Sequence, residues 1–223
     1  MSIALLRIFG IILFLYLSWR SSRENHEEEK LITFSWAVLL MFLIGGRVTY
    51  GLINWGIWNE SFADWISFWT KPGFDYLGAY ATFTVTALWL GNLYGFKVWG
   101  LMEDLVNSIL LMMTFCFLDE SLRSRWDLKN LTITLSVLLT MILANLIRNK
   151  YRGMVWYKSG KKGFVYFFSN FIGFMMLAGL TLWFNDGAGL IALYVVLSLI
   201  SLSGLFILGD VFEPIFVSLK RKK

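Results

Sequence analysis

The sequence predicts an all-α integral membrane protein of about seven transmembrane helices forming one domain over residues 1–223, and three observations predict it. The composition is 57% hydrophobic and 16% charged, more apolar than a soluble domain of this length can bury, so lipid must solvate much of the chain. A helix needs roughly 20 apolar residues to cross a hydrocarbon core about 30 Å thick, which leaves 223 residues room for about seven spans and short loops. With only two prolines and apolar runs much longer than a barrel strand, the spans are expected to be helices, which satisfy their backbone hydrogen bonds within one segment. The period-two alternation of a barrel is missing.

The apolar segments are, in order, residues 2–19, 31–53, 75–95, 100–118, 130–147, 163–184 and 188–209. The first is interrupted by Arg7 and ends in Leu17-Ser18-Trp19, a poor small-residue cleavage site, so it reads as a retained helix rather than a secretory signal. The loop before the second carries Arg20, Arg23, Lys30 and the acidic run Glu27-Glu28-Glu29. Between the second and third, Trp58, Phe62, Trp65 and Trp69 recur at helical spacing, with Glu60 and Asp64 turned away. Either they form a short interfacial helix on the outer surface, or they are belt aromatics anchoring helix ends. Lys97 precedes the fourth segment, whose Glu103 and Asp104 fall where carboxylates cap and complement a helix N-terminus. A basic loop from Arg148 to Lys162 leads into the sixth, and the tail reads Lys220-Arg221-Lys222-Lys223.

A net charge of +5 would suggest nucleic acid in a soluble protein, but here the basic residues lie in loops beside apolar spans and no nucleic-acid partner is expected. With the N-terminus outside and the C-terminus cytoplasmic, the inner loops and tail hold 14 Lys and Arg residues and the outer loops four, Lys71, Arg123, Arg125 and Lys129. Positive loops resist translocation while acidic residues count little, so this orientation is expected. No span carries a chain of ionisable residues along one face, and no internal repeat or matched pair of broken helices appears, which disfavours a transporter.

Chemistry-bearing residues are few. The only histidine, His26, falls in the acidic loop and reads as solvated, and the only cysteine, Cys116, lies in an apolar run. A transition-metal site needs several converging ligands, so none is expected, and no histidine is available for base catalysis within a span. Arg47 is the informative residue. It sits inside the apolar run 41–50, where a guanidinium is expensive unless it faces an anion or water, and the expected topology places it in the outer half of the bilayer. Its planar fork of donors suits a phosphate. It can instead snorkel to the interface or pair with a buried carboxylate. Gly45 and Gly46 before it suit close helix packing, as interhelical hydrogen bonding suits Asn54, Asn92, Asn107, Asn145 and Asn170.

At Leu43-Ile44-Gly45-Gly46-Arg47-Val48-Thr49-Tyr50 the chain resembles bacterial prolipoprotein diacylglyceryl transferase, whose second helix also carries Gly-Gly-Arg followed three residues later by Tyr. An aromatic stretch and a glycine-led start of the third helix, Lys71-Pro72-Gly73-Phe74-Asp75-Tyr76, are similar, as are Asp104 and the sixth-helix start Gly163-Phe164-Val165-Tyr166. The resemblance implies seven spans in the same orientation in the cytoplasmic (inner) membrane. It also implies transfer of diacylglyceryl from phosphatidylglycerol to the thiol of a lipobox cysteine, without metal or organic cofactor. The implied partners are phosphatidylglycerol or another anionic phospholipid and a preprolipoprotein. Arg47 would then hold the phosphate with Tyr50 beside it, and Arg123 or Arg125 would stand in for the arginine of the signature after the family's fourth helix. The family's His-Gly-Gly aligns with Leu77-Gly78-Ala79, so the catalytic base is unknown, and the signature itself is replaced by residues 117–125. Gly173 stands near the place of the family's sixth-helix arginine. A non-catalytic lipid-binding or scaffold protein of the same fold is the alternative.

Overall fold

Seven α-helices form among the described residues, each over one of the apolar runs. They are α1 Leu5–Ser22, α2 Glu28–Ile53, α3 Tyr76–Leu93, α4 Val98–Arg123, α5 Leu128–Arg148, α6 Phe164–Phe184 and α7 Ala188–Leu208, with one 3-10 turn at Tyr151–Gly153. The computed structural model describes residues 5–24, 26–54, 74–124, 126–154, 157 and 161–209, and no strand occurs among them. The expected interfacial helix around Trp58–Trp69, Arg125 and the basic tail lie outside the described residues.

Local chemistry sets the helix ends. Asp75 N-caps α3, its carboxylate accepting from the backbone N–H of Gly78, and Asp127 does the same for α5 through the N–H of Asn130 at 3.3 Å. Glu28 and Glu29 occupy the first turn of α2, where they complement the helix dipole. Asn185 closes α6 at φ 56°, a left-handed cap that its short polar side chain tolerates.

Six helices are long and apolar enough to cross a membrane, the build of a multi-pass membrane protein. The third helix falls short because Thr82, Thr84, Thr86, two tyrosines and Asn92 lower its hydropathy over only 18 residues. Large apolar side chains stay exposed on the spans, Leu182 at 68% and Trp183 at 81%, a surface that suits lipid and not water.

The chain divides into two compact units, the first holding Leu15–Leu101 and the second Leu6–Phe14 with the residues from Met102 onward. In the first, α2 and α3 pack closely. Leu31, Phe34, Val38, Leu39 and Phe42 form the buried stripe of α2, at the three- and four-residue spacing of one helix face. In the second, α6 packs on both α5 and α7: Gly173 faces Thr140 of α5, and Gly204 of α7 receives the ring of Phe167. Phe9 of α1 meets Phe115 of α4 edge to face at 5.1 Å, and Asn107 of α4 donates to Asn145 of α5 at 2.7 Å.

Candidate functional site

Arg47 lies six residues before the end of α2, about 9 Å of helix rise, and is 2% exposed. The two glycines before it bring α3 against α2. A Cβ on Gly45 would sit 1.8 Å from Oγ1 of Thr82 and 2.6 Å from its Cβ, and one on Gly46 would meet the Phe74 ring at 2.4 Å. The approach is reciprocal, since a Cβ on Gly78 of α3 would lie 2.4 Å from the Cβ of Thr49. The backbone N–H of Asp75 donates to the carbonyl of Gly46 at 2.9 Å, and Thr82 Oγ1 lies 3.1 Å from the carbonyl of Met41. Gly45 and Gly46 therefore serve close helix packing, as their residue type suggested. That packing fixes the turn of α2 that carries Arg47. Tyr50, three residues on and half-buried, shares its face of α2.

Arg123 sits in the second unit, where its Nε lies 2.8 Å from Oδ2 of Asp119. Arg7 Nε approaches the same carboxylate oxygen at 2.7 Å, and its guanidinium lies 3.9 Å from Glu120. Two arginines from α1 and α4 thus bracket one buried carboxylate, which is how Arg7 is accommodated in an otherwise apolar helix. The clue in the sequence was the arginine set inside the first apolar run. Replacing Asp119 by alanine should lower stability by about 1–2 kcal/mol, discounted because both arginines are partly exposed. Thermal denaturation in detergent measures it, with Asp119→Glu as the variant expected to retain the pair.

Glu103 and Asp104 do not cap α4. The helix starts at Val98, which puts them at its sixth and seventh residues, beyond the first turn. Glu103, 5% exposed, accepts from the hydroxyl of Tyr151 at 2.9 Å and from the backbone N–H of Gly163. Arg148 donates to Asp104 Oδ1 at 3.0 Å and to the Glu103 carbonyl at 3.2 Å. The capping expectation failed because a helix start read two residues late makes a cross-chain carboxylate look local.

His26 is half-buried rather than fully solvated, its ring centred 4.4 Å from that of Phe96. Cys116 is buried. Among the described residues no three His, Cys, Asp or Glu side chains converge as a metal site requires. Leu77, Gly78 and Ala79 open α3, with Ala79 fully buried, and no side chain in that triplet can take a proton. No protein-family model, curated protein or solved structure matches the chain.

Proposed function

We propose that the chain is a divergent diacylglyceryl transferase-like protein of the cytoplasmic membrane, N-terminus outside, that takes phosphatidylglycerol or another anionic phospholipid by its phosphate at Arg47. The observation that carries this reading is a buried guanidinium on the membrane helix α2, one turn from Tyr50 and within the Gly-Gly-Arg-x-x-Tyr motif. The planar fork of an arginine matches two phosphate oxygens.

In the reaction proposed, the lipobox sulfur bonds to the glyceryl carbon of phosphatidylglycerol and that carbon's bond to the phosphate oxygen breaks. The thiol proton ends on the departing phosphate, and glycerol phosphate leaves. Arg47 would stabilise the charge that gathers on the phosphate. Incubating the purified protein with phosphatidylglycerol and a lipobox peptide should yield thioether-linked peptide. No product, beside a known active enzyme that succeeds, removes the catalytic part of the proposal.

A non-catalytic role, in binding anionic lipid or a partner membrane protein, is favoured by Leu77-Gly78-Ala79, which offers no base where the family carries its histidine. Both roles share a lipid-binding prediction. Arg47→Ala should retain about tenfold less phosphatidylglycerol through purification than the wild type, the order of a lost charge-assisted contact. Equal retention, read by mass spectrometry of extracted lipid, would take Arg47 out of the site.

A further inference from the structure

The last residue of α5, Arg148, and the segment from there to α6, with Lys150, Arg152, Lys158, Lys161 and Lys162, carry no carboxylate. A topogenic signal requires only that charge. The structure does more with it. Glu103 of α4 ties both ends of the segment down, accepting from the Tyr151 hydroxyl near its start and the Gly163 N–H at its finish. The rings of Tyr151 and Phe164 stack 4.8 Å apart, 4° from parallel. Tyr157 meets Phe164 edge-on at 4.8 Å and donates its hydroxyl to the carbonyl of Lys161 at 2.5 Å. Tyr151, Tyr157 and Phe164 are all fully buried.

This clamp sorts the charges. Arg148 is turned inward onto Asp104 at 3.0 Å, while Lys150, Lys161 and Lys162, the last also acting on Asp104 through its charge, are exposed. They lie at the ends of two apolar spans, α5 and α6, where headgroups meet water. A lysine there is a compact cation suited to phosphate without fixed geometry, and each such charge strengthens attachment to an anionic surface.

We propose that Lys150, Lys161 and Lys162 form a preset binding surface for the phosphates of anionic lipid headgroups at this end of α5 and α6. The surface is independent of Arg47 and of the membrane orientation. Holding Tyr151 and Gly163 in advance, at the two ends of the segment, lowers the ordering cost a loose basic loop would meet on binding.

The test uses the full chain in nanodiscs with photoactivatable phosphatidylglycerol or phosphatidylcholine, mapping crosslinks to the peptide spanning residues 148–163. Phosphatidylglycerol should label that peptide well above phosphatidylcholine and less at high salt. Lys150→Gln/Lys161→Gln/Lys162→Gln should reduce labelling on the order of a hundredfold, as expected for three cations at an anionic surface. The corresponding triple arginine variant, which keeps the charge, should restore it, and Arg47→Ala should leave it unchanged. Equal labelling by the two lipids, or full labelling of the triple glutamine variant, would overturn the proposal. Unchanged lipid labelling alongside capture of an acidic peptide would overturn it too.

Discussion

Glu103→Ala is expected to destabilise the folded protein by about 2–4 kcal/mol, because it leaves two buried donors, the Tyr151 hydroxyl and the Gly163 N–H, without their acceptor. The cost is set by desolvation: a donor buried without a partner forfeits its bonds to water and gains nothing in return. The loss should propagate, since the stacked Tyr151 and Phe164 rings are oriented by the same bonds. Glu103→Gln keeps the shape and one acceptor and should cost about half as much. Thermal denaturation in detergent, with protease cleavage between α5 and α6 as a second readout, checks both variants. A Glu103→Ala protein as stable and as resistant to cleavage as the wild type would show that the carboxylate is not what holds the segment.

An effect of similar size is expected at Gly45. A methyl group added there would lie 2.6 Å from the Cβ of Thr82 as well as 1.8 Å from its hydroxyl oxygen. Rotating the threonine moves the oxygen but not the Cβ, so α2 and α3 must move apart. Overpacking of this kind costs about 1–3 kcal/mol and more when backbone must shift, so Gly45→Ala should fall at or above the top of that range. Separation would also break the Asp75 to Gly46 hydrogen bond of 2.9 Å and disturb the turn holding Arg47. Thr82→Gly in the same protein removes the obstructing Cβ and should recover part of the loss. Gly179→Ala is the control: nothing lies within 4 Å of a Cβ there, so it should be neutral or stabilise by up to about 1 kcal/mol through helix propensity. If Gly45→Ala and Gly179→Ala melt alike, the close approach of α2 and α3 is not what the glycines provide.

These two sites show why helix positions were legible in the sequence and their partners were not. The segments 31–53 and 188–209 read from hydropathy became Glu28–Ile53 and Ala188–Leu208, because apolar length is a property of each segment alone. Gly45 and Gly46 announced close packing by their size. That Thr82 and Phe74 would fill the space depends on the rotation of α3 about its axis against α2, which the size of the two glycines does not record. Glu103 misled for a related reason. Near a helix start a carboxylate has a cheap local role, and only the return of the chain at Tyr151 and Gly163, some 48 and 60 residues later, reveals the nonlocal one.

Arg7 shows the same limit on a smaller scale. In sequence it interrupts an apolar run, whereas in the structure it lies 2.7 Å from Asp119, a carboxylate it shares with Arg123. Arg123, expected from the resemblance as a headgroup ligand, is thereby engaged within the protein's own ion pairs.

The sequence by itself determined the helical segments, the apolar surface that requires lipid as solvent, and the place of Arg47 inside an apolar run. Each follows from composition over about 20 consecutive residues, the length at which the bilayer exerts its demand. Only the tertiary structure decided that Arg47 is buried, that Asp119 gathers two arginines, and that Glu103 binds both ends of a basic segment. The contacts of Asp119 with Arg7 and of Glu103 with Tyr151 rest on distances of about 3 Å between groups far apart in the chain, where hydrogen-bond energy falls away within an ångström, and hydropathy summed along the chain carries no such information.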